Sequence, residues 1–338
     1  MSAPGNLPPE RQADWLEEPL PPPPLPEFQV HLAAPDLGPW VAGNTGIRGF
    51  TSLASGTAGP HIVLIALTHG NEIAGAIALD RLLRAGLRPA RGRLTLGFAN
   101  LAAFARFDPE EPTASRFVDE DLNRLWDPFL LDGQRHSCEL DRAREMRPLI
   151  DQADVLLDLH SMLWPSEPLL LSGPSAKGLA LARGIGLPPL IVADQGHMSG
   201  PRLIDYGPFV DPASRQAAAL VEAGQHWLPE TVETTLACID RLLRFTGLRA
   251  ETTPPAPSAA LPERPPRYAE VTMAVTAMSN DFTFVHPVRG GEVIPRRDTL
   301  IAVDGKTEIR TPHDDCLLVM PSLRPCRGHT AVRLARFL

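Results

Sequence analysis

Lysine is almost missing: among 338 residues it stands only at positions 177 and 306, and nearly all of the 32 basic residues are arginine. Being an arginine therefore marks no site by itself. The four cysteines, Cys138, Cys238, Cys316 and Cys326, include no Cys-x-x-Cys pair. That excludes the usual spacing of a redox dithiol or a thiolate zinc site and leaves reduced, structural thiols. Surplus positive charge is lacking too: a net charge of -8 argues against a general nucleic-acid binder, which needs basic surface. No apolar run is long enough to cross a bilayer, and the N-terminus has no basic flank before an apolar core. A cytoplasmic protein without a membrane partner is the expectation.

Proline is abundant, with 37 residues, and it punctuates the chain. Residues 1–26 are proline-rich and acidic, which favours extended or disordered chain: a solvated tail, or an arm on a neighbouring subunit of a homo-oligomer. From 27 to 250, short β-rich runs alternate with helical stretches. "HIVLIAL" (61–67) is a continuous apolar run of strand length, suited to a strand buried on both faces. The segment that follows carries apolar residues at helical spacing and stops at Gly86. Further strands are expected at 93–100, 155–161, 167–173, 189–194 and 217–224, and helices at 137–153 and 230–245. This alternation predicts an α/β domain with a largely parallel or mixed sheet flanked by helices. Residues 251–266 form a proline-rich linker, and 267–338 read as a small all-β domain of short strands.

Within the apolar run, core character breaks at Thr68-His69-Gly70-Asn71-Glu72 and then resumes. The carboxyl end of a strand in an open α/β sheet is where ligands bind. An imidazole there, with a carboxylate three residues on, can aim both groups at one ion; a plain helix-start turn is the alternative. The run 154–161 ends in the same way, at His160. His69, Glu72 and His160 together make a His₂Glu set with a fourth position left open, the coordination of catalytic zinc in carboxypeptidase-type enzymes. Asp158 falls on the same strand face as His160 and can orient its imidazole, or serve a purely structural role. Glu222 sits inside another apolar run, where a carboxylate is costly without a partner. Near a metal it can act as general base; elsewhere it would be a salt-bridged strand end. In "SRFVDEDLNRLWDP" (115–128), Asn123 and Arg124 set an amide beside a guanidinium, a pairing suited to carboxylates unless both are loop surface.

With these residues in hand, the chain resembles the succinylglutamate desuccinylase/aspartoacylase family, relatives of the zinc carboxypeptidases. The matching elements are "HGNE" (His69, Glu72), "DLNR" (Asp121 to Arg124), His160 on its strand and "VEAG" with Glu222, over about residues 45 to 245. The resemblance implies a zinc-carboxypeptidase-like fold, with a β-rich C-terminal domain that narrows the mouth of the site. It implies one zinc ion per subunit on His69, Glu72 and His160, with Glu222 as general base. Arg116 would polarise the scissile carbonyl, and Asn123 and Arg124 would hold a substrate carboxylate. A second substrate arginine is expected upstream of Glu222, with Arg202 and Arg215 as candidates. His197 and His226 are either substrate contacts or ordinary loop polarity. Lys306, in a turn-like "DGKTE", resembles a carrier-domain lysine less than an exposed turn residue.

The implied activity is zinc-dependent removal of an acyl group from an N-acyl amino acid or similar small amide. A zinc carboxypeptidase acting on peptides and a non-catalytic zinc-binding module are the alternatives.

Overall fold

A computed structural model describes residues 24–197, 199–249 and 265–338. The expected proline-rich arm (1–26) and linker (251–266) therefore lie outside the described residues except at their last few positions. Strand β1 (Phe50–Ala54) runs antiparallel to β3 (Arg93–Phe98), which runs parallel to β2 (His61–Ala66). On its other edge β2 pairs parallel with β4 (Val155–Met162), and β4 pairs parallel with β7 (Ala217–Gln225). Every residue of β2 is buried, which explains why its sequence is apolar without alternation. Beyond β7, β5 (Leu169–Leu171) is antiparallel and β6 (Leu190–Ala193) is parallel to β5. The sheet is mixed, as expected.

Helices cover both faces. On one side α1 (Ile73–Arg84), α5 (Ala176–Ile185) and α6 (Pro229–Phe245) pack over Ile62, Leu64 and Ala66 of β2. On the other, α4 (Cys138–Ile150) covers Val63 and Ile65. The two-residue period of a strand divides its side chains between two cores. Two short helices, α2 (Leu101–Phe104) and α3 (Pro128–Asp132), lie in connections. No described helix is long and apolar enough to cross a membrane, and all four cysteines are free.

The C-terminal region is all β, as its sequence predicts, and part of it lengthens the central sheet. Strand β8 (Arg267–Thr276) adds parallel to β6. It is followed by β14 (Thr330–Phe337), β13 (Cys316–Val319) and β10 (Val293–Ile294), giving eleven strands in one sheet among the described residues. A separate three-stranded sheet contains β9 (Phe282–Phe284), β11 (Leu300–Asp304) and β12 (Thr307–Arg310). Lys306 is exposed in the turn between β11 and β12. Through β8 and β14, C-terminal side chains stand beside the segment that follows β6.

Candidate active site

The turn after β2 is built by local strain and close packing. Leu67 has φ +58°, a left-handed backbone uncommon for leucine, which turns the chain out of the strand. Gly70 follows three residues later. A Cβ there would lie 2.5 Å from Ala103 C, Phe104 N and Ser115 O, so only glycine lets these three segments meet. Its N–H donates to Arg116 O at 3.0 Å, tying the turn to the next loop of the site. Glu72 stands at the N-cap of α1 but makes no side-chain capping bond.

The Glu72 carboxylate faces inward instead. Its Oε1 lies 2.6 Å from His69 Nδ1, and its Oε2 lies 3.1 Å from His160 Nδ1 and accepts from Ser161 N at 2.9 Å. One ligand atom from each of His69, Glu72 and His160 falls within 4.8 Å of the others, and all three residues are buried. Burial alone would raise the Glu72 carboxyl; the two imidazoles overcome it and hold Glu72 well below the usual carboxylate range. Burial likewise disfavours charge on His160, and Asp158 and Glu72 overcome it to raise the imidazole well above its ordinary value.

Each imidazole has a second carboxylate on its far side. Asp158 Oδ2 approaches His160 Nε2 at 2.8 Å, outside hydrogen-bond alignment, while Thr68 Oγ1 donates to Asp158 Oδ1 at 2.8 Å. Asp121 Oδ1 is 2.9 Å from His69 Nε2. Arg116 Nη2 also lies 2.8 Å from that nitrogen, so Nε2 donates to Asp121 when protonated and accepts from Arg116 when it is not. Two imidazoles and a carboxylate backed by outer carboxylates suit a divalent cation of the zinc type.

Glu222 reaches the same place from β7. It is the register partner of His160 across the parallel β4–β7 pair, and the register shifts just beyond, between His160 and Met162. Such an irregularity re-aims side chains at a strand end. Glu222 is buried, and its Oε2 has no hydrogen-bond partner among the described residues. Burial pushes its carboxyl up to about 8, against the pull of His160 and with the push of Glu72. A buried carboxyl with an idle oxygen beside the His160 imidazole can exchange a proton with a bound molecule.

The loop from Ser115 to Trp126 supplies the polar wall, and Glu139 of α4 holds it. The Glu139 carboxylate accepts from Val118 N, Asp119 N and Glu120 N at 2.6, 3.0 and 3.2 Å, and from Asn100 Nδ2 at 2.9 Å. Arg116 is thereby placed with Nη2 donating to Asp121 Oδ2 at 3.1 Å and Nη1 to Glu72 Oε1 at 3.4 Å. Asn123 is buried and its Oδ1 accepts from Leu203 N at 2.8 Å, leaving the amide's donors for other partners. Arg124 donates from Nη1 to Asn123 O at 2.6 Å, and its Nη2 is 3.9 Å from Asp121 Oδ2. Burial first, then Arg116, Arg202 and Arg333, brings the Arg124 pKa down to about 10 against the pull of Asp121.

Of the two candidate second arginines, Arg202 is near this wall and Arg215 is not. Arg202 is buried and forks onto Asp194 at 2.9 and 2.7 Å while its Nε donates to Asp205 at 2.7 Å. Arg215 is exposed and precedes β7, at the end of the strand opposite Glu222. His226 accepts or donates with Ser161 Oγ at 2.6 Å, supporting the residue whose N–H holds Glu72. His197 lies against the arginines. Burial, then Arg124, Arg333 and Arg202, lowers it to about 3, so it is neutral at ordinary pH.

Four contributors were not singled out in the sequence: Asp121, Glu139, Ser161 and Arg333. Asp121 lies inside the quoted "DLNR", whereas Glu139 reads only as an acidic residue in a first helical turn. Arg333 has no distinguishing signal in an arginine-rich chain.

Comparison with known proteins places this geometry. The model of the succinylglutamate desuccinylase/aspartoacylase catalytic domain matches residues 58–224. The succinylglutamate desuccinylase of Vibrio cholerae superposes with a TM-score of 0.64 at 17% identity, over 86% of this chain and 85% of that one. A succinylglutamate desuccinylase/aspartoacylase from Rhodobacter sphaeroides gives 0.61 at 20% identity, over 86% and 88%. The product-bound ectoine utilization protein EutE (DoeB) of Ruegeria pomeroyi gives 0.58 at 16%, over 85% and 88%. No curated protein matches the chain in sequence. At these identities the structures speak for the fold, and the domain match speaks for the family: the chain carries, over residues 58–224, the catalytic domain of the succinylglutamate desuccinylase/aspartoacylase family.

Proposed function

We propose that this protein is a zinc-dependent amidohydrolase that removes an acyl group from an N-acyl amino acid or a similar small amide. The observation that carries the reading is the gathering of His69, Glu72 and His160 within 4.8 Å, next to the idle oxygen of Glu222. His69, Glu72 and His160 would hold the zinc. When bound, zinc acidifies water and polarises a carbonyl as a Lewis acid.

The chain's own groups supply the rest. Glu222 takes a proton from the attacking water and returns it to the nitrogen of the leaving amine, a transfer suited to a buried carboxylate with an idle oxygen. The Arg116 guanidinium stabilises negative charge as it develops on the carbonyl oxygen. Arg124, with the amide donors of Asn123 beside it, anchors a substrate carboxylate and so fixes the scissile bond. Buried walls exclude bulk water and strengthen each of these interactions.

A hydrolysis screen tests the reading. Protein stripped by a chelator is assayed with acetyl-, succinyl- and formyl-amino acids, before and after zinc is restored. Turnover of at least one member that returns only with zinc is the expected result. Retained zinc with no turnover across the panel would overturn it in favour of a binding module.

A further inference from the structure

At the end of the sheet opposite His69 and His160, polar groups stand where the core under α4 would otherwise continue. His61 opens β2, Arg93 and Thr95 lie on β3, and Ser52 lies on β1. Alternation along the strands puts all four on the face of Phe50, Val63 and Ile65, the one that α4 covers. The last turns of α4 do not fill this end, and a cavity of about 410 Å³ remains. Small-molecule sites run from roughly 300 to 1,000 Å³. His69 lies beyond the far end of β2, so the length of that strand, roughly 20 Å at about 3.3 Å per residue, separates the cavity from the metal ligands.

The sheet side of the cavity is held firmly. His61 is buried, with Nε2 2.8 Å from Thr95 Oγ1 and Nδ1 2.9 Å from Arg93 Nη2 and 3.0 Å from Gln152 O. Arg93 Nη2 also donates to Gln152 Oε1 at 3.2 Å. One nitrogen of the guanidinium is thereby anchored, while its Nε and Nη1 have no hydrogen-bond partner among the described residues. Thr95 Oγ1 donates to Ser52 Oγ at 3.0 Å, which leaves Ser52 its own hydroxyl hydrogen to give.

The helix side brings the opposite charge. Glu145 of α4 lines the same cavity; its Oε2 accepts from Arg142 Nη1 at 2.6 Å, and its Oε1 has no partner among the described residues. Among those residues Arg93 forms no ion pair, with Glu145 or with any other carboxylate. One cavity thus presents idle donors of a cation and an idle acceptor of an anion that do not reach each other. Ile47 and Leu149 add apolar wall. A planar guanidinium fork beside a hydroxyl suits a carboxylate, and a carboxylate oxygen suits an ammonium group.

We propose that this cavity is a binding site, separate from the catalytic centre, for a free α-amino acid with a small apolar side chain. Its carboxylate takes the Nε and Nη1 donors of Arg93 and the Ser52 hydroxyl. Its ammonium group takes Glu145 Oε1, and its side chain lies along Ile47 and Leu149. The site needs neither zinc nor turnover, so it stands or falls apart from the activity proposed above.

Calorimetry on the full chain tests it, with L-alanine, L-valine, acetate and methylammonium as probes. At least one of the two amino acids binds, and acetate and methylammonium, each carrying one of the two charges, bind at least about 10-fold more weakly. Arg93→Gln and Glu145→Gln, both at half-exposed or exposed positions, melt like the parent and each weaken amino-acid binding about 10- to 100-fold. Arg124→Gln, at the catalytic centre, leaves that binding unchanged. Acetate that binds as tightly as the amino acids refutes the zwitterion, and so does unchanged binding in Glu145→Gln. Binding lost in Arg124→Gln but kept in Arg93→Gln places the ligand in the catalytic centre and overturns the proposal, as does no binding of either amino acid at millimolar concentration.

Discussion

Glu222 stands opposite His160 in the parallel register of β4 and β7, and both side chains are buried. Without a cation between them and Glu72, a carboxyl in this position keeps its proton unusually long: from an ordinary value of 4.5 it is raised to about 8. The native pKa lies above that of the unfolded chain. The stability linked to the protonated form is therefore complete below the unfolded value and is lost as pH rises through the folded one. Glutamine removes the titration. Chelator-stripped Glu222→Gln should melt above the stripped parent at about pH 9, with the gap closing toward about pH 5. A gap that does not change with pH would show that burial of Glu222 costs the fold nothing. In the zinc-restored enzyme the same substitution should lower kcat by about 10²- to 10⁴-fold, the usual worth of a positioned general base.

The loop of Arg116 and Asp121 depends on a carboxylate that takes no part in chemistry. Glu139 accepts from three consecutive backbone N–H groups and from Asn100. Glu139→Ala would leave those donors without an acceptor in a part-buried position, at a cost of about 3 kcal/mol. A fall in Tm of roughly 6–12 °C follows for a domain of this size. Since Arg116 and Asp121 ride on the loop, kcat should fall with it, and Glu139→Gln, which keeps one acceptor, should fall less. If the alanine variant melts low yet turns over normally, the loop's position is not what Glu139 secures.

Much of this arrangement is legible before folding, and the exceptions have physical causes. β2, β3, β4 and β7 show as apolar runs because central parallel strands are buried on both faces, and His69, His160 and Glu222 show because they interrupt such runs. α5 is hidden by Gly178 and Gly184, which lower helix propensity. Both are packing residues: a Cβ would lie 2.2 Å from Ser172 O at Gly178 and 2.2 Å from the Phe245 ring at Gly184. β1 is a short edge strand with only Phe50 fully buried, too weak a pattern to announce itself. Neither the β6–β8 pairing nor the approach of Arg333 to Asp194 has a local signature, because each joins residues distant in sequence.

Metal affinity should depend on the outer carboxylates as well as on the ligands. Asp158 and Asp121 face the far nitrogens of His160 and His69. Asp158→Asn and Asp121→Asn should each weaken zinc binding about 10- to 100-fold. Zinc at about 1,000 times its dissociation constant should stabilise the parent by about 4 kcal/mol, and His160→Ala should abolish the zinc-dependent rise in Tm. A rise that survives His160→Ala would mean that zinc binds elsewhere.

Gly70 offers the sharpest steric test, since one methyl group decides it. The position needs no left-handed backbone; its constraint is space, with Ala103 C, Phe104 N and Ser115 O each 2.5 Å from where a Cβ would stand. All three are backbone atoms, so no side-chain rotation relieves the clash, and overpacking of this kind costs about 1–3 kcal/mol. Relief requires the His69 turn and the Ser115–Arg116 loop to part, which also breaks the Gly70 N–H bond to Arg116 O. Gly70→Ala should therefore lose zinc affinity and turnover together, and added zinc should recover less of its Tm than it does for the parent. A variant that melts lower but binds zinc with unchanged affinity would show that the clash is absorbed away from His69 and Glu72.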